Sequence, residues 1–335
     1  MFKLEDPKTG SALARAAGIL AIGIGLTVSA PSYSASDWPS RPVHIIMPAG
    51  PGGSSDPLAR IVAEELGKRL GQSFIVENKP GANGNIGASM VAQARPDGQT
   101  LLFSWTGTLV SAVTMYDSKP FNPKTDFEPI VLIASIPNVV ATSSDLPISS
   151  FDELTAYAKS HPDKLSFGST GSGSSWHLSG ELYKKSLDVS LVHVPYTSPG
   201  TVITDLTAGR LQVAFPQPIA VASFVKEGRL RALAIMGDQR LNSLPDTPTT
   251  AELGHPNLVS ATWFALLAPK GTSREIVDKL NSTVNEALND PGLKSRLIDM
   301  GYIPIGGTSE EFAEYMDSEI AKWDEIVKFS GAKID

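Results

Sequence analysis

Apolar positions fall in short blocks, and two spacings alternate along most of the chain. The run at 43–47 is short and mostly apolar, which predicts a buried strand. Asp56-Pro57 then predicts a helix start, with Asp at the N-cap and Pro at the first helical position. Leu58, Ile61, Val62, Leu66 and Leu70 fall on one face of that helix. Further strands are predicted at 73–76, 101–104, 165–168, 191–194, 211–215, 230–236 and 262–268. Two strand-like runs at 127–134 and 138–142 are broken by Pro137. Helices are predicted at 86–94, 151–160, 174–185, 201–208 and 219–227. In the third of these, Leu178 and Leu182 form an i, i+4 pair for burial. Three more helical segments follow the last strand, the final one starting at Ser309. The segment 237–250 is rich in turn formers and predicts a surface loop. Strand–helix alternation on this scale predicts an α/β fold of parallel sheets with helices on both faces. No tandem repeat, heptad run or low-complexity tract interrupts it.

Length and composition sharpen this picture. A chain of 335 residues is long enough for two ordinary domains, and 41% hydrophobic content can fill their cores. A formal net charge of −7 argues against nucleic acid as a partner. It leaves room for an anionic small ligand, because local N–H groups can act inside a globally acidic molecule. With no cysteine, disulfides, thiolate metal sites, cysteine nucleophiles and a lipoprotein anchor are excluded. Lys3, Lys8 and Arg15 precede an apolar stretch at 16–28, and small residues follow at Ser29, Ala30, Ser32, Ser34, Ala35 and Ser36. This is the layout of a secretory signal peptide over residues 1–36, too short in its apolar core to span a bilayer.

Three glycine-rich loops each lie between a predicted strand and a predicted helix. They are Pro48-Ala49-Gly50-Pro51-Gly52-Gly53-Ser54-Ser55-Asp56, Asn78-Lys79-Pro80-Gly81-Ala82-Asn83-Gly84-Asn85-Ile86-Gly87 and Gly168-Ser169-Thr170-Gly171-Ser172-Gly173-Ser174-Ser175. Glycine lets backbone approach a ligand closely, and a helix starting after such a turn points unpaired N–H groups and a positive dipole end at the gap. Two early junctions and one after a long interval suggest two lobes that present anion-binding backbone to a shared cleft.

Enzymatic readings find less support. Gly50-x-Gly52 with Glu77 after the next strand invites a dinucleotide-binding reading, but Ser55 stands at the third glycine position and Pro51 intrudes. No Gly-Lys-Ser/Thr follows any loop, so a phosphate-binding P-loop is absent. The histidines His44, His161, His177, His193 and His255 show no metal-type spacing. The glycines around Ser169 and Ser172 miss the nucleophile-elbow spacing. His177 could serve Ser174 or Ser175 as a base, although a histidine one turn into a helix is more often packed or capping. Asp152, Glu153, Glu310 and Glu311 sit at helix starts and favour the dipole there. Trp105 and Trp176 lie in or just beyond the loops, where a ring could stack on a planar ligand or pack the lobe.

From Trp38 to about Ile326 the chain resembles the substrate-binding proteins of tripartite tricarboxylate transporters, the Bug family. The resemblance is carried by Trp38-Pro39-Ser40-Arg41-Pro42-Val43, by the first two glycine loops, and by Lys164-Leu165-Ser166-Phe167-Gly168-Ser169. His177-Leu178-Ser179-Gly180-Glu181-Leu182, His193-Val194-Pro195-Tyr196, Asp205-Leu206, Gly209, Gly228-Arg229-Leu230-Arg231-Ala232-Leu233-Ala234 and Leu267-Ala268-Pro269-Lys270-Gly271-Thr272 complete it. The resemblance implies a periplasmic, non-catalytic protein of the Venus-flytrap type II architecture, without cofactor or metal and expected as a monomer. It would capture a small organic carboxylate and deliver it to permease subunits of a tripartite transporter. A sensor that reports the same ligand to a receptor is the alternative. Lobe 1 would comprise 38–138 plus 258–335 and lobe 2 would comprise 139–257, with a hinge of two connections.

The ligand-binding residues so implied are Gly52, Gly53, Ser54, Ser55, Asp56, Ala82, Asn83, Gly84, Asn85, Trp105, Thr106, Thr108, Thr170, Gly173, Ser174, Ser175, Trp176, Tyr196, Pro216 and Gln217. Backbone N–H groups, hydroxyls and water would hold the carboxylates. The chain also departs from the family pattern. Pro216 stands where the family often has an aspartate, and Thr197-Ser198 replace a usual Lys-Gly. Trp105 replaces a smaller residue before Gly107-Thr108.

Overall fold

The computed structural model describes residues 38–51, 54–115 and 120–331. The signal peptide expected over 1–36 and the loop residues Gly52 and Gly53 lie outside the described residues. The chain begins with β1 (Val43–Met47), α1 (Ser55–Leu70), β2 (Phe74–Asn78), α2 (Asn85–Ala92), β3 (Thr100–Trp105) and α3 (Thr106–Thr114). Next, β4 (Phe127–Pro137) runs into β5 (Val139–Ser143) with only Asn138 between them. Then come α4 (Phe151–Ser160), β6 (Ser166–Ser169), α5 (Ser175–Leu187), β7 (Val192–Pro195), α6 (Pro199–Thr207), β8 (Val213–Ala214), α7 (Pro218–Lys226) and β9 (Leu230–Ile235). The chain finishes with β10 (Ala261–Pro269), α8 (Arg274–Leu288), α9 (Pro291–Asp299), β11 (Ile303–Pro304) and α10 (Ser309–Ser330).

The strands form two sheets. One has the order β11-β4-β10-β3-β1-β2 and the other β7-β6-β8-β5-β9. All strands of the second sheet come from 139–235, so the chain passes between sheets twice, at Asn138 and through 236–260.

These two passages explain why the sheets are mixed rather than wholly parallel as the alternation predicts. Pairs β1–β2, β1–β3, β6–β7 and β6–β8 are parallel. Strand β10 is antiparallel to β3 and β4, and β5 is antiparallel to β8 and β9. A strand that enters a sheet from the gap must run opposite to strands that end at the gap. Strand β10 enters the first sheet that way and β5 the second. Helical crossovers, which parallel pairing needs, are missing at both passages.

Local chemistry sets the helix ends. Helix α8 starts at Ser273, whose side chain accepts from Ile276 N–H, and buries Ile276, Val277, Leu280, Val284 and Leu288 along one stripe. Helix α10 opens with a capping box between Thr308 and Glu311. Helix α1 differs from expectation. Its N-cap is Ser54, without a side-chain cap bond, and Asp56 lies inside the first turn, where it pairs with Arg60 at 3.1 Å. Helix α3 and strand β11 have no counterpart among the elements expected from periodicity. Helix α3 follows β3 directly, with no turn residue between, and its sequence TGTLVSAVT is rich in poor helix formers. Two-residue β11 is too short to show a period.

Helix α10 holds the second passage and the strand after it, with Lys322 Nζ donating to Val259 O at 3.4 Å. Buried Glu319 accepts Nε1–H from Trp263 of β10 at 3.0 Å and from Trp323 at 2.9 Å. On the same helix, Glu325 receives Lys185 Nζ of α5 at 2.8 Å.

Candidate functional site

Strands that end at the gap deliver helix starts to it. A cleft of about 610 Å³, solvent included, lies there. Its walls include Ser54 and Ser55 at the start of α1, Gly107 in the first turn of α3, Ser174 and Ser175 at the start of α5, and Gln217 before α7. Asn83, Trp105, Thr170, Thr262 and Phe264 complete them. None of the described residues that line it carries a charge. Four helix N-termini therefore meet around one space, each worth roughly half a positive charge. First-turn N–H groups have no intrahelical partner, and α1 and α7 also lack a side-chain cap bond. Such an arrangement can hold anionic oxygen atoms without a cationic side chain.

Each loop is braced from behind. Asn78 Nδ2 donates to Ala49 O at 2.9 Å and to Asp56 Oδ1 at 3.1 Å, which ties the first loop to β2. Tyr302 donates its hydroxyl to Ser54 O. In the second loop, Thr108 Oγ1 donates to Asn83 O at 3.0 Å. Gly84 adopts φ 88°, and a Cβ there would overlap Thr108 Oγ1. In the third loop, Gly171 and Gly173 take φ 109° and 79°. Gly171 N–H donates to Ser169 Oγ at 3.2 Å, and Ser169 Oγ is 2.6 Å from His193 Nε2.

His177 belongs to the same brace. Its Nδ1 accepts Gly173 N–H at 3.2 Å, and its ring lies 4.1 Å from that of His193. Burial, helped by neighbouring His193 and Lys184, pushes the His177 imidazole down to about 3. Burial and Lys184 push His193 down to about 4. Ser174 Oγ accepts from the His177 backbone N–H at 3.3 Å as an N-cap. The two side chains thus make separate bonds and do not form a nucleophile–base pair with each other.

Of the residues expected at the ligand, Ser54, Ser55, Asn83, Trp105, Thr170, Ser174, Ser175 and Gln217 come together on the cleft wall. Gly52 and Gly53 lie outside the described residues. The others do not line the cleft. Asp56 is engaged by Arg60 and Asn78. Ala82 and Gly84 shape the second loop, and Asn85 is buried at the start of α2. Thr106 Oγ1 accepts Trp263 N–H at 2.9 Å and so holds β10. Thr108 holds Asn83, and Gly173 holds His177. Tyr196 donates its hydroxyl to Asp205 at 2.8 Å. Pro216 is buried and its carbonyl accepts Val139 N–H at 2.8 Å. Trp176 is buried against Val202, Ile203 and Leu206, so its ring packs the second half instead of facing a ligand.

Sequence reasoning missed Gly107, Thr262 and Phe264. Gly107 makes room for Trp105, since a Cβ there would come 2.9 Å from the indole Nε1. Thr262 and Phe264 are alternate residues of β10 and share a face, but β10 reads only as a buried apolar run.

Comparison with known proteins decides the family. The family profile described as tripartite tricarboxylate transporter family receptor matches residues 58–332. The chain belongs to that family. This receptor is 34% identical to the protein BugT of Bordetella pertussis, over 96% of its own length and 99% of BugT. It is similar to the R. palustris protein Rpa4515 solved with adipate, at 35% identity and TM-score 0.77, covering 89% of this chain and 100% of that one. It is also similar to MatC from Rhodopseudomonas palustris, solved with bound malate. That match has 32% identity and TM-score 0.72 and covers 87% of this chain and 100% of MatC. The receptor has the mixed α/β architecture of these solved structures, and no helix among its described residues is long and apolar enough to cross a membrane.

Proposed function

We propose that this receptor is exported by the leader at 1–36, works as a monomer in the periplasm, and captures a small organic carboxylate in the cleft. It then passes the ligand to permease subunits of a tripartite transporter. Two lobes, 38–138 with 258–335 and 139–257, close on the ligand about connections near Asn138 and 257–262. A single observation carries this reading: four helix N-termini meet around an uncharged cleft. Relatives solved with adipate and malate support a dicarboxylate.

The ligand lacks an ammonium group. Pro216 and Gln217 supply no negative charge, and a desolvated cation would find no partner among the lining residues. Trp105 offers apolar surface that suits a flat or extended carbon chain. Binding needs no cofactor and involves no chemical step. A thermal-shift screen of mono-, di- and tricarboxylates tests the reading. At about 100 times its dissociation constant the ligand adds about 2.7 kcal/mol of stability. A screen in which no carboxylate raises the midpoint sinks it.

A further inference from the structure

A second and larger space lies away from the cleft, with about 890 Å³ of volume, solvent included. One side is the segment 239–243 that follows β9 of the second sheet. The other is α9, β11 and the turn between them, on the side of the first sheet. Its floor is apolar, with Ile298 and Ile303, and Ile303 also packs on the cluster of Val139, Ile235, Leu241 and Leu244. Its rim carries two cations, Arg240 and Lys294, and no carboxylate. Arg240 spends Nε on Glu252 and Nη1 on Pro245 O. Lys294 makes no ion pair among the described residues.

We propose that this pocket is a second ligand site, for an organic anion with one acidic group on an apolar body. Charge complementarity selects the acid group, and the Ile298 and Ile303 floor takes the carbon chain. Because its two sides belong to different sheets, an occupant favours the arrangement in which both sides contact it.

Tyr302 connects the pocket to the cleft. It backs the pocket, donates its hydroxyl to Ser54 O, and meets the Phe264 ring edge-on with centroids 6.0 Å apart. Ser54 and Phe264 both line the cleft. An occupant that shifts Tyr302 therefore moves two cleft residues. This coupling rests on the cleft being the carboxylate site, whereas the second site does not.

Octanoate, a single carboxylate on an apolar chain, is the probe. Titrated into the protein and followed by amide NMR, it should shift Asn242, Ser243 and Gly301 saturably. Lys294→Glu should weaken that response about tenfold or more. Gln217→Ala alters the cleft wall and should leave the response in place. The shifts should extend to Ser55 and Gly107, and Tyr302→Phe should remove that extension while Ser243 still responds. No saturable shift, shifts confined to cleft amides, or shifts indifferent to Lys294→Glu overturn the site. Pocket shifts that never reach Ser55 and Gly107 overturn the coupling. Neither result touches the cleft reading, which the dicarboxylate screen tests separately.

Discussion

Gln217 Nε2 donates to Thr262 Oγ1 at 3.1 Å. The bond joins the residue ahead of α7, in the half built on the second sheet, to a strand of the first sheet. It crosses the wall of the cleft, so a neutral amide spans the two halves beside the proposed carboxylate. Replacing it with an acid by Gln217→Glu should repel an anionic ligand. The expected loss is on the order of 1–3 kcal/mol, or roughly 5- to 150-fold in affinity, measured by titration calorimetry. Gln217→Ala should lose less, because it removes a polar contact without adding charge. Equal affinity in wild type and Gln217→Glu would place the ligand elsewhere.

Gly84→Ala should be costly to the fold. The position has φ 88°, and the new methyl group would overlap Thr108 Oγ1, which holds the Asn83 carbonyl. A destabilisation of about 1–3 kcal/mol is expected in denaturant unfolding, together with weakened ligand binding. Wild-type stability would show that the second loop relaxes freely.

Gly107→Ala should act on binding more than on stability. Its φ is unrestricted, but the methyl group would press on the Trp105 indole at 2.9 Å and turn it within the cleft. Trp176 is buried, so Trp105 should dominate any fluorescence change on ligand addition. Trp105→Ala should abolish that change and cost on the order of 1 kcal/mol of affinity. A signal that survives Trp105→Ala would contradict this.

The histidine pair sets an acid limit. Both imidazoles titrate below the ordinary 6.5 in the folded chain, His193 at about 4 and His177 at about 3. The unfolded chain takes up these protons first as pH falls. The stability contributed by the neutral rings is complete above 6.5 and is lost as pH falls from there toward 4 for His193 and toward 3 for His177. Between about pH 7 and about pH 5 the loss should be on the order of a few kcal/mol, reduced for the partial exposure of His193. Denaturant unfolding at both pH values measures it. His193→Phe should flatten the dependence, and an unchanged slope would refute the assignment.

Most elements were readable because their periods were clean and their ends were marked by Gly, Pro, Ser or Asp. Helix α1, the third glycine loop and β10 are cases of this kind. Strand direction was less legible, since hydrophobic runs carry no sign of whether a strand enters or leaves the gap. The glycine loops brought Ser54, Asn83, Thr170 and Ser175 to one cleft because a helix start following such a loop faces the gap. Trp176 misled because one residue along a helix turns a ring by about 100°, enough to exchange cleft for core. Thr262 and Phe264 come from a strand distant in sequence, and only the two passages between the sheets carry them to the wall.

The central claim is that the cleft recognises carboxylate charge through helix N-termini. It is tested most directly by titrating the protein with dicarboxylates such as adipate and malate alongside their diamides. The diamides keep the carbon skeleton and lose the negative charge. We predict saturable binding of at least one dicarboxylate and none of its diamide, with the binding weakened in Gln217→Glu. Equal binding of acid and diamide, or tight binding of aspartate with no response to any deaminated acid, would contradict the account.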